Sequence, residues 1–146
     1  MNSSIEEQLL EQGFFVSTTV GSSMRPMLRN RRDRVVVRAI GEKTLKKYDL
    51  PLYRLSNGKY VMHRIIGVKD DCYVIRGDNT YQKEIVLPEQ ILGYVTEFYR
   101  GGRRIASDSR AYRVYAVLWN WIYPIRAAWH AFRGFASRVK HKLLKT

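Results

Sequence analysis

Between residues 14 and 99, short runs of apolar and polar positions alternate, rich in β-branched and aromatic side chains and bounded by glycine, asparagine and aspartate. That is a strand pattern, because successive side chains on a strand point to opposite faces. Strands are expected over 14–20, 34–40, 50–55, 59–68, 72–76 and 91–99. Asn57-Gly58 predicts a tight type I′ hairpin turn, since both residues tolerate positive φ. Lys69-Asp70-Asp71 and Gly101-Gly102 mark two further reversals, so the middle of the chain is expected to be a β-meander.

The period differs at both ends. Residues 5–10 read as a short helix with Ser3 or Ser4 as N-cap, Glu6 and Glu7 at the positive end of the helix dipole, and Gly13 as the stop. Past Ser107, the residues Val114, Leu118, Trp121, Ile125, Ala128, Phe132, Phe135 and Val139 recur at spacings of three and four, which places them on one helical face. Pro124 is expected to kink or interrupt that helix. The expectation is a mainly β fold: a coiled, partly closed antiparallel sheet over 1–105, with a short N-terminal helix and a basic, aromatic, amphipathic helical tail over 106–146. At 146 residues the chain has room for one sizeable core.

Composition narrows the setting. The single cysteine, Cys72, excludes an internal disulfide and has no zinc-like spacing around it. A reducing compartment is expected, and neither metal nor cofactor. Glu6, Glu7 and Glu11 stand where a secretory signal needs basic and then apolar residues. The most apolar stretch, 114–125, falls short of the roughly 20 residues a membrane-spanning helix needs. A cytoplasmic protein is therefore expected. The formal net charge is +13, and residues 106–146 carry eight lysines and arginines against one acid, Asp108. Such a tail suits an anionic membrane surface at the inner leaflet or an acidic partner protein. It could equally lay Trp121, Ile125 and Phe132 over an apolar patch of the β domain, or dock on a partner helix. Nucleic acid is not the expected partner, because no helix-turn-helix, zinc finger or aromatic RNA-binding signature is present.

Chemistry-bearing side chains concentrate in three blocks: GSSMRPML at 21–28, VMHRIIGV at 61–68 and RGDNTYQKE at 76–84. A serine hydroxyl is a poor nucleophile at neutral pH and needs a base within hydrogen-bond reach. His63 is the natural candidate for Ser23, while His130 and His141 lie in the basic tail with no carboxylate nearby in sequence. Taken singly, each block also has a structural explanation: a turn at Ser23, a core histidine beside Val61 and Ile65, a Gly-Asp-Asn turn at Asp78 and a solvated charge at Glu84.

In the order GSSMRPML, RRDRVVV, VMHRIIGV, RGDNT and ILGYV, across residues 21–95, the chain resembles the signal peptidase and LexA-like superfamily of serine peptidases. The resemblance implies a coiled antiparallel sheet of that type. It makes Ser23, immediately before Met24, the nucleophile and His63, immediately before Arg64, the general base. A histidine there is similar to the endoplasmic-reticulum-type branch, and Lys59 is the runner-up base. The acid of that branch maps to Glu84, with Asp78 as the alternative third member. The implied function is endopeptidase action on a peptide or protein substrate by acyl transfer, with the Ser23 N–H as an oxyanion donor. Two departures stand out. Gly21 occupies the position where signal peptidases carry a second hydroxyl, and a short acidic helix stands where they carry a membrane anchor. A stand-alone, soluble bacterial member is therefore expected, and a catalytically silent peptide-binding module on the same fold is the competing reading.

Overall fold

The computed structural model describes residues 4–144. Ser3, one of the two cap candidates, and Lys145, the last basic residue of the tail, lie outside the described residues. Helix α1, Ile5–Gln12, starts at Ser4, whose hydroxyl accepts from the Glu7 N–H while the Glu7 carboxylate accepts from the Ser4 N–H at 2.8 Å. Satisfying two orphan donors at once is what defines this helix start. Gly13 ends the helix at φ 76°, a left-handed conformation that the absence of a Cβ makes accessible.

Nine strands follow among the described residues: β1 Phe14–Thr18, β2 Arg34–Ala39, β3 Pro51–Arg54, β4 Tyr60–Met62, β5 Arg64–Val68, β6 Tyr73–Arg76, β7 Glu84–Val86, β8 Ile91–Arg100 and β9 Arg103–Ala106. Helices α2, Arg110–Trp121, and α3, Tyr123–Leu143, complete the chain. One sheet runs β1-β2-β8-β3-β4 with β9 also on β8, and a second runs β5-β6-β7. Every ladder is antiparallel. The helices hold nearly as many residues as the strands, so the fold is mixed α/β with curled antiparallel sheets rather than mainly β.

The long strand β8 explains why the expected meander is not observed. It inserts between β2 and β3, and a Cβ at Gly93 would collide with the Arg38 carbonyl oxygen, so this crossing requires glycine. The tight type I′ geometry lies at Gly101-Gly102, both at positive φ (57° and 78°), where β8 turns into β9. At Asn57-Gly58 only Gly58 takes positive φ, in a longer loop closed by the Leu55 N–H donating to the Lys59 carbonyl. The expected strand over 59–68 breaks at His63, where the chain leaves one sheet for the other. Arg64 and Ile65, the first two residues of β5, are both buried, so this strand is covered on both faces where it starts.

Two apolar clusters form where one core was expected. The first gathers Leu9, Phe15, Met24, Leu28, Val35, Val37, Leu52 and Phe98, and the second Leu45, Tyr53, Ile65, Ile75, Val86 and Ile91. Strand β3 divides them, with Leu52 in one and its neighbour Tyr53 in the other. Both of its faces are covered, which is why Tyr53 can carry its hydroxyl into the interior beside the site.

The tail docks through a different face from the one its spacing suggested. In α2, Tyr112 and Ala116 are buried, Tyr115 donates to Asp78 at 2.9 Å and the Trp119 indole donates to the Asp78 carbonyl at 2.9 Å. Asn120 accepts from Arg76 at 2.6 Å, and the Arg76 guanidinium lies 3.3 Å from the centre of the Tyr123 ring. Trp121, Ile125 and Phe132 cover no patch of the β domain. They are 79%, 73% and 60% exposed, because the residues that pack lie on the opposite side of the helices. The break comes at Ile122, with Pro124 in the first turn of α3, where a missing N–H costs nothing.

Candidate active site

The loop 19–33 sets the position of Ser23. Gly21 adopts φ 95° and donates to the Asn30 side chain at 2.9 Å, while Met24, Met27 and Leu28 are buried and anchor the far side of the loop. Asp33 is fully buried and accepts from the Arg29 N–H at 2.7 Å and its guanidinium at 3.0 Å. From across the fold, the Asn79 N–H donates to the Ser23 carbonyl at 2.7 Å, and the Asn79 side chain donates to the Ser22 carbonyl at 3.2 Å. Gly77 lies so close that a Cβ there would come within 2.8 Å of the Ser23 carbonyl oxygen. Ser23 is thus held rigidly at the mouth of the loop. Among the described residues, the backbone N–H groups of Ser23 and Met24 donate to no protein acceptor.

His63 occupies the junction between β4 and β5, and Glu84 is the first residue of β7. His63 Nδ1 lies 3.3 Å from Glu84 Oε2 and 3.2 Å from the Tyr53 hydroxyl, which itself donates to Glu84 in a very short hydrogen bond. Burial first, and then the Glu84 carboxylate, push the Tyr53 hydroxyl well above the usual tyrosine range, so it keeps its proton. That one proton goes to Glu84. Both oxygens facing His63 Nδ1 are then acceptors, so in the neutral ring the hydrogen belongs on Nδ1 and the Nε2 lone pair is free.

Ser23, His63 and Glu84 line one cavity of about 460 Å³, together with Thr18, Val20, Tyr60 and Met62. Strands β1 and β4, at the two ends of the order β1-β2-β8-β3-β4, both contribute to its lining. Among the described residues, no hydrogen bond joins the Ser23 hydroxyl to the His63 ring. Lys59, the runner-up base, is exposed at the hairpin loop and is not part of the cavity wall.

Asp78 stands elsewhere. Its two carboxylate oxygens take Arg64 Nε at 2.7 Å and Nη2 at 2.8 Å, in an ion pair of which both members are nearly fully buried. Arg64 also donates to the Tyr112 hydroxyl at 2.7 Å and approaches Met27 Sδ at 3.1 Å. Burial alone would lower the Arg64 pKa, but the Asp78 contacts outweigh it and hold the guanidinium charged. The Asp78 carbonyl accepts from Trp119 and Arg126. Asp78 thus organises the loop and seats the helices, and its carboxylate is committed to Arg64 rather than to His63. Of the two acids singled out in the sequence, Glu84 is the one brought to the imidazole. Tyr53 was not singled out at all; a tyrosine inside a strand-like run carries no signal that its hydroxyl will meet residues 10 and 31 positions away.

No family model matches this chain, and no curated protein matches it either.

Proposed function

We propose that the protein is a serine endopeptidase of the signal peptidase and LexA-like kind, with Ser23 as nucleophile, His63 as general base and Glu84 as the acid that orients it. The observation that carries this reading is the convergence of these three side chains, from three distant segments, on one cavity, with the imidazole held by Glu84 and Tyr53 in the tautomer a base needs. In the proposed reaction, Ser23 Oγ attacks the carbonyl carbon of a peptide bond and His63 Nε2 takes its proton. The proton then passes to the departing amine, and water admitted by the same base hydrolyses the acyl ester. The unpartnered N–H groups of Ser23 and Met24 supply donors for the oxyanion that Gly21 cannot. A substrate lying extended along an exposed strand edge, β1 or β4, would present its carbonyl in the cavity between them.

The lack of a Ser23–His63 hydrogen bond is compatible with this chemistry, because catalytic hydrogen bonds often tighten only when substrate is bound. It equally favours a second reading, a silent module that holds an extended peptide in the same cavity. Incubating the protein with a diverse peptide library separates the two. The peptidase reading expects cleavage that Ser23→Ala abolishes while peptide binding persists. Binding without cleavage by the unaltered protein would establish the module instead.

A further inference from the structure

Helix α2 is apolar on both sides. Tyr112, Tyr115, Ala116 and Trp119 face the β domain, and Val114, Val117, Leu118 and Trp121 face outward and are exposed. A helix apolar all round is ordinarily buried on every side. In α3, Tyr123 packs near Tyr81 and His130 stacks on it with ring centroids 4.2 Å apart, which fixes the inward side of that helix. At 100° per residue, Ile125, Trp129, Phe132, Phe135, Val139 and Leu143 then fall together on the outward side, and all six are exposed.

The charges complete the pattern. Around the same wheel, Arg133 and Lys140 border one margin of the α3 stripe and Arg138 and Lys142 border the other, while Arg126 is turned inward onto Trp119 and Asp78. Between residues 110 and 144 there is no acidic side chain. Long basic side chains on both margins of an aromatic stripe can lie at headgroup depth while the rings enter the acyl boundary. A protein partner would need a matching apolar groove with acids on both rims, whereas an anionic bilayer offers that complementarity along the whole length of the helix. No helix among the described residues is long and apolar enough to cross a membrane, and contact between these helices and a bilayer would run along its surface.

We propose that the outward face of α2 and α3 is a peripheral docking surface for an anionic lipid bilayer, with Trp121, Trp129 and Phe132 entering the interface and Arg133, Lys140 and Lys142 meeting the headgroups. The proposal does not depend on the peptidase reading, since Ser23→Ala leaves this surface untouched.

Co-sedimentation of the full chain with vesicles tests it. Vesicles of phosphatidylglycerol mixed with phosphatidylcholine are expected to retain the protein, pure phosphatidylcholine to retain far less, and raised salt to release it. Tryptophan emission should shift to the blue on binding. Reversing three charges, in R133E/K140E/K142E, is expected to weaken partition by roughly a hundredfold or more, each basic residue near an anionic surface contributing about fivefold. The variant W129D/F132D is expected to lose the blue shift. Both variants alter only exposed side chains and should unfold at the temperature of the parent, which circular dichroism checks. Failure of the parent to bind anionic vesicles would overturn the proposal. So would binding that both variants retain, or concentration-dependent self-association through this face with no lipid affinity.

Discussion

Two acids close together in sequence do different work, and the difference is measurable at single residues. Glu84 is half-exposed and touches the imidazole, whereas Asp78 is buried and neutralises Arg64. On the proposed peptidase reading, Glu84→Gln should therefore reduce kcat/KM by about 10²–10⁴-fold with little change in melting temperature, as expected when a base loses the group that holds its tautomer. Asp78→Asn should do the reverse in kind, destabilising the fold by about 3–5 kcal/mol because the Arg64 charge stays buried without its counter-ion. Thermal unfolding and steady-state kinetics on the two variants separate the roles. A Glu84→Gln variant with full activity would remove Glu84 from the site. The Ser23 turn could be read from residue types alone, as could the choice of two acids, whereas the single strand expected through His63 is two strands that part at that residue. Which acid meets the histidine could not, because it depends on where β7, three residues long and without a visible period, pairs along β6.

At the scale of elements, the helical tail is two structures in succession. Residues 110–126 pack on Arg64 and Asp78 through Tyr112, Tyr115, Trp119 and Arg126, while residues beyond Gly134 are exposed throughout the described chain. Truncation after Ser107 should abolish cooperative unfolding, since it strips Arg64 and Asp78 of hydrogen-bond partners in the interior. Truncation after Gly134 should leave the melting temperature within the small range typical of surface changes, about 0.5 kcal/mol. Equal loss in both would contradict the division. The 3.6-residue period was plain in the sequence, but α2 has two apolar faces and the period cannot say which one packs. The strands were legible where they alternate. They were misread where the chain changes sheets, at His63, because a residue passing from one layer to another obeys neither alternation.

At the scale of the whole molecule, buried tyrosines tie stability to pH. Burial pushes the Tyr112 hydroxyl up to about 12, against opposition from the Arg64 charge, and raises Tyr53 and Tyr115 as well. The unfolded chain releases these protons near pH 10, where the fold still holds them, so the unfolded state binds fewer protons and stability falls as pH rises. Below about pH 10 these groups contribute no slope; from there toward about pH 12 each should remove up to about 1.4 kcal/mol per pH unit. Melting temperatures across that range should drop steeply, and more gently in Tyr112→Phe. A flat profile would mean that these hydroxyls are not buried neutral.

The peptidase reading depends on Ser23 and His63 acting as one unit. Groups that act as a unit are strongly non-additive: once one is gone, removing the other changes little. The direct test is kcat/KM for a cleaved peptide with Ser23→Ala, His63→Ala and the double variant. Both single variants should fall to the level of the double variant. Independent, multiplying losses, or one single variant with undiminished hydrolysis, would show that the cavity brings these two side chains together without making them a catalytic pair.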